Sequence, residues 1–139
     1  MAGKADFTED EWKTLSKGVT GTGMLVSLAH KDFTDSFGEA TALAKEMANQ
    51  HTHNQSQLVR ELGGTRGTGF GITASPAKVQ AETIAALIAG VSLLKTKAPD
   101  ELEAYRAFVL DIGQTVAAAK GGVVPAETEM IEKVTLALA

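Results

Sequence analysis

His51 and His53, two residues apart, are the first candidates for chemistry in this chain, and His30 stands alone elsewhere. Imidazoles at that spacing can share a metal on an extended segment, whereas on a helix they project to different faces. A metal would need a third ligand, for which Glu46 and Glu61 are the nearest carboxylates. The plainer alternative is two solvated side chains in the polar stretch His51 to Ser56, and no metal ion is expected. A second candidate is Gly63 to Gly71, with five glycines in nine residues around Arg66 and Phe70. Glycine amides and one guanidinium could cradle an anion there. The stretch nevertheless lacks both Gly-x-x-x-x-Gly-Lys-[Ser/Thr] and Gly-x-Gly-x-x-Gly, so a flexible connection between helices is its simplest reading. Arg66, Phe70, His51 and His53 therefore stand as the candidate ligand- or partner-binding residues.

The acid pairs Asp10/Glu11 and Asp100/Glu101 fall in expected first turns of helices, where the dipole favours negative charge. That explains them without catalysis. No Gly-x-Ser-x-Gly marks a serine nucleophile, and no residue has the neighbours that a general acid or base needs. A non-enzymatic protein with no catalytic residue and no cofactor is expected.

Composition narrows the class further. The 139 residues suit one domain, and 44% hydrophobic with 22% charged residues is an ordinary globular mixture. Thirteen Lys and Arg against seventeen Asp and Glu give a net charge of −4, which argues against a general nucleic-acid binder. With no cysteine there are no disulfides, thiolate metal sites or thiol nucleophiles, which is compatible with the cytoplasm. The polar, acidic start shows no signal peptide, and no run of 18 uncharged apolar residues predicts a membrane span.

The elements that must position these residues read as helices throughout. Thr8 and Glu11 have capping-box spacing, and Trp12, Leu15, Val19, Leu25 and Leu28 follow at helical intervals. Gly18, Gly21 and Gly23 interrupt that pattern and predict a kink or a close approach by another helix. A second helix is expected from about Phe37 to Gln50, then a loosened turn and a short helical piece around Leu58, Val59 and Leu62. Ser75-Pro76 caps a strongly apolar helix over 76–96, expected at the centre of the fold. Pro99 and Pro125 open two more helices. The expectation is an all-α single domain over 1–139, a bundle of about five to seven helices. It has a flexible N-terminus over 1–7 and a glycine-rich loop over 63–74.

Sliding the chain by 90 residues lays Thr8–Glu46 on Ala98–Leu136 with seven identities in thirty-nine positions. About two or three would arise by chance from composition. Among them are Asp10 with Asp100, Val19 with Val109 and Gly23 with Gly113. Two pseudo-repeated helix pairs around the apolar helix would follow, with Gly23 and Gly113 meeting backbone to backbone. A chain whose glycine face is used internally in this way is expected to be a monomer or a weak homodimer.

The stretch Tyr105–Leu138, "YRAFVLDIGQTVAAAKGGVVPAETEMIEKVTLAL", resembles the recurring unit of the tellurite-resistance TerB-like family. In that unit a helix ends in an Ala-Asp-Gly turn, followed by a short loop, a Glu and a second apolar helix. The opening "FTEDEW" and the segment "KAPDELEAYRAFVLDIGQTVAAAKGG" are similar to bacterial proteins of about this size. The resemblance implies a compact, all-helical cytoplasmic domain tied to stress response and to membrane-proximal complexes. It also implies a divalent-cation site at the Ala-Asp-Gly turn, but this chain has Ala119-Lys120-Gly121 there. An ammonium cannot replace a carboxylate ligand, so the metal site is not expected to carry over. The matching N-terminal turn, Ala29-His30-Lys31-Asp32, has its carboxylate displaced along the chain. The functional expectation is a protein that binds a protein partner or ligand. The alternative is a helical domain that takes a small molecule or anion between its helices and the glycine-rich loop.

Overall fold

In the computed structural model the described residues are 3–29, 36–64, 75–118 and 125–139. Six helices account for nearly all of them: α1 (Glu9–Ala29), α2 (Ser36–His53), α3 (Gln57–Gly63), α4 (Pro76–Lys97), α5 (Leu102–Ala118) and α6 (Pro125–Leu138). Among the described residues there is no strand, and the fold is an all-α bundle.

The local signals set the helix starts. The Thr8 hydroxyl accepts from the Glu11 amide at 3.1 Å, while the Glu11 carboxylate accepts from the Thr8 amide at 2.8 Å. This is the reciprocal capping box. Ser75 caps α4 by accepting from the Lys78 amide, with Pro76 at the first helical position. The second helix runs past its expected end. Thr52 donates to the Ala48 carbonyl, and the side chains of Glu46, Gln50 and Asn54 are linked four residues apart. These contacts carry α2 through His53, and the turn begins only at Asn54.

The centre belongs to α1, in place of the apolar helix expected there. α1 touches all five other helices. α4 lies along one flank of it and leaves Ala81, Ala85, Ile88, Ala89 and Ser92 exposed. Apolar composition favours burial without saying which side of a helix finds a partner. The two helices run antiparallel, with Leu15 near Gly90, Gly18 near Leu87 and Gly21 near Thr83. The glycines of α1 therefore serve close approach. A Cβ at Gly18 would lie 2.4 Å from the Tyr105 Oη, and one at Gly21 would lie 2.3 Å from the Thr83 Oγ1. Through the space left at Gly18, the Tyr105 hydroxyl donates to the Leu15 carbonyl at 2.9 Å.

Tyr105, Phe108 and Ile112 of α5, Leu15 and Val19 of α1, Leu87 and Leu94 of α4, and Leu58 and Leu62 of α3 form the main core. Val26, Val116 and Ala117 form a smaller cluster with Leu43 and Ile131. In place of a flexible N-terminus, residues 3–7 dock on this core. Phe7 is buried beside Trp12, with ring centroids 6.1 Å apart, and the Lys97 ammonium lies over the Phe7 ring. The Lys4 amide donates to Glu61, which ties the segment to α3.

The 90-residue shift carries α1 onto Pro99–Ala118 and α2 onto the region of α6, so the order of elements agrees with the proposed repeat. Its glycine crossing does not form. A Cβ at Gly23 would strike the Leu43 side chain at 2.9 Å. One at Gly113 would touch the side chains of Thr22 and Val26 at 3.4 and 3.7 Å. Each glycine thus faces side chains and not the backbone of the other.

Candidate docking groove

The α2–α3 turn shows what the histidines do. His51 and His53 lie on the last turn of α2, where two residues correspond to about 200° of rotation, so their rings diverge. The His51 Nδ1 is 2.6 Å from the Arg60 carbonyl oxygen. Gly63 permits this tight turn, since a Cβ there would meet the Met47 carbonyl oxygen and the His51 amide nitrogen at 2.7 Å. His51 thus fastens α2 to α3, and His53 points into solvent. The carboxylates considered as third ligands are engaged elsewhere: Glu46 accepts from Gln50, and Glu61 accepts from Lys4 and Gln57. Among the described residues, no three His, Cys, Asp or Glu side chains are placed to hold a metal ion. Arg66, Phe70, His30 and both turns singled out by the family resemblance, Ala29 apart, lie outside the described residues.

Two carboxylates, Glu46 of α2 and Asp111 of α5, feel each other's charge. Partial burial, and then the Glu46 charge, push the Asp111 carboxyl above its ordinary pKa. Two carboxylates supply far fewer than the six to eight oxygens that Ca²⁺ takes.

Among the described residues, an uncovered surface lies between α4 and α6. It is an open groove of about 350 Å³, lined by Gln80, Ile84 and Ile88 from α4 and by Lys133, Leu136 and Ala137 from α6. Gln80, Ile84 and Ile88 recur every four residues and form one ridge of α4. Ile88 is 55% exposed and Leu136 is 75% exposed, the two large hydrophobic side chains left open to solvent among the described residues. Both belong to this one groove. Lys133 is its one charged lining residue, and no ion pair is formed by it among the described residues.

Sequence reasoning missed these residues for a definable reason. Ile88 and Leu136 carry the same apolar signal as buried Leu87 and Leu138, and only the packing separates them. By length and composition α4 could also cross a membrane, a test that the core helix of a soluble protein passes equally. Its opposite side is closed onto α1 by Thr83, Leu87 and Gly90.

The described residues form a small helical bundle with an uncovered apolar seam between α4 and α6. Comparison yields no closer identity: no family model, no curated protein and no solved structure matches this chain.

Proposed function

We propose that this chain is a non-enzymatic, TerB-like helical domain of the cytoplasm that binds a protein partner through the α4/α6 groove, in a stress-related setting. The observation that carries the binding role is the exposure of Ile88 and Leu136 on opposite walls of one groove. Exposed aliphatic side chains concentrated at one place mark interaction sites more often than scattered ones do. The family reading is supported by the likeness over Tyr105–Leu138 and by the succession of paired helices α1, α2 and α5, α6. A chain without cysteine suits a reducing compartment.

The test is affinity capture with the wild-type protein and with Ile88→Glu/Leu136→Glu as baits, after both are shown to melt alike. A partner held by the wild type and lost by the double variant supports the role; one held equally by both overturns it. A second reading rests on the groove volume, which reaches the lower end of the range of small-molecule sites. Thermal stabilisation by a metabolite, with no protein partner captured, would favour that reading.

A further inference from the structure

We infer that residues 3–7 form a clasp that acid releases as a unit, uncovering Phe7 and Trp12 while the helical bundle stays folded. The first argument is how little holds it. Lys4–Asp6 make one 3-10 turn, and of the five residues only Gly3 and Phe7 are buried. Gly3 lies against α3, where a Cβ would meet the Gln57 side-chain nitrogen at 2.6 Å. The Phe7 ring sits beside Trp12, with the Lys97 ammonium 5.9 Å from its centroid. Within the clasp, the Asp6 amide donates to the Gly3 carbonyl and the Phe7 amide to the Lys4 carbonyl. Among the described residues, no backbone–backbone bond joins it to another element. Helix α1 starts beyond it, with its own cap at Thr8 and Glu11. A segment held in this way opens locally, well below the free energy of global unfolding.

The second argument is the chemistry of the holding groups. The Gly3 amide donates to the Asp6 carboxylate at 2.8 Å, and the Lys4 amide donates to the Glu61 carboxylate of α3. The Lys97 ammonium over Phe7 is itself held by the Glu11 carboxylate at 2.6 Å. Three carboxylates therefore secure the clasp. Other charged side chains on the same elements are engaged elsewhere or exposed. Glu9 pairs with Lys13, Arg60 donates to the carbonyls of Asn54 and Gln55, and Glu101 accepts from Ser56. Asp10, Lys95 and Asp100 are exposed. The Lys97 contact also keeps the Glu11 carboxyl below its ordinary pKa. Such a carboxyl stabilises above its unfolded value and loses that contribution as pH falls through the folded one. Protonation weakens each acceptor and frees Lys97. The main core is apolar, so acid does not act on it in this way. Acid thus supplies an aromatic surface that the closed protein lacks.

The experiment reads two signals from the whole protein as pH is lowered from about 7 to about 3, across the range where carboxylates take up protons. Emission from the chain's one tryptophan reports on the clasp, and far-UV circular dichroism reports on the helices. The Trp12 emission should shift to the red before the helix signal falls. Phe7→Ala should show the shifted emission already at neutral pH, with the helix signal of the wild type. In Glu61→Gln the Lys4 amide meets a neutral acceptor. Protection of the Phe7 amide from hydrogen exchange should then fall about five-fold, as expected when a charge-assisted hydrogen bond becomes neutral. Lys97→Met keeps the aliphatic stem without the charge and should raise the pH at which Trp12 shifts. Coincident loss of the two wild-type signals overturns the clasp as a separate unit. An early Trp12 shift that both Glu61→Gln and Lys97→Met leave unmoved overturns the carboxylate latch. Wild-type emission from Phe7→Ala, or loss of its helix signal at neutral pH, overturns the inference as well.

Discussion

The two sides of α4 are built from nearly the same residues and have opposite fates. Toward α1, Thr83, Leu87 and Gly90 close against Leu15, Gly18 and Gly21. Away from it, Ala81, Ala85, Ile88 and Ala89 face solvent. Small and aliphatic residues make both sides, so composition does not decide which one is covered. The difference lies in the opposing surface. On the inner side two glycines remove Cβ atoms where Tyr105 and Thr83 need room, and ion pairs flank the seam. The outer side has no such complement among the described residues.

The inner seam should break first. Gly18→Leu forces a side chain into the space of the Tyr105 hydroxyl, and overpacking of this kind costs up to about 3 kcal/mol. At roughly 3–4 °C per kcal/mol for a domain of this size, the melting temperature should fall by about 10 °C. Tyr105→Phe removes only the bond to the Leu15 carbonyl and should cost about 1 kcal/mol in thermal or urea unfolding.

Gly113 sharpens the contrast, because a Cβ there would meet its neighbours at ordinary contact distances. Gly113→Ala should therefore stabilise by about 0.5–1 kcal/mol, through helix propensity and a less mobile unfolded chain. The same substitution at Gly18, measured in parallel, should destabilise. Equal effects at the two positions would show that the Gly18 approach is not tight.

The smallest expected effect is a pH dependence specific to the inner seam. Lys97 holds the Glu11 carboxyl below its ordinary pKa of 4.5, and Lys17 does the same for Glu82. A carboxyl lowered by folding stabilises above its unfolded value and loses that contribution as pH falls through the folded one. Glu11→Gln/Glu82→Gln should thus melt slightly below the wild type at pH 7. The difference should close as pH drops below about 4. A gap unchanged across that range would mean that the two pairs contribute nothing to the seam.

What the sequence revealed was mostly local. Thr8 with Glu11, and Ser75 with Pro76, announce helix starts because donor and acceptor lie within three residues. The glycines of α1 announced close approach without naming the neighbour. Long-range choices stayed hidden. Glu127 looks like an ordinary first-turn acid and is fully buried, whereas Ile88 looks like core and is open. His51 looked like half of a ligand pair because nothing local shows that α2 continues to His53 or that Arg60 turns its carbonyl toward the ring. The groove depends on where α6 settles against α4, which no window of either helix encodes.

Tyr105 is the chain's one tyrosine and Trp12 its one tryptophan, so each chromophore reports on a single place. The Tyr105 phenol is fully buried, and burial raises its pKa well above the usual phenol range. In alkali its absorbance should therefore change only when the three-helix junction opens, which makes ionisation a readout of unfolding. Trp12 sits beside Phe7 and registers release of the N-terminal segment instead. Neither chromophore lines the α4/α6 groove. Loss of the junction, loss of the N-terminal clasp and occupation of the groove can thus be told apart with one unlabelled sample and one labelled ligand.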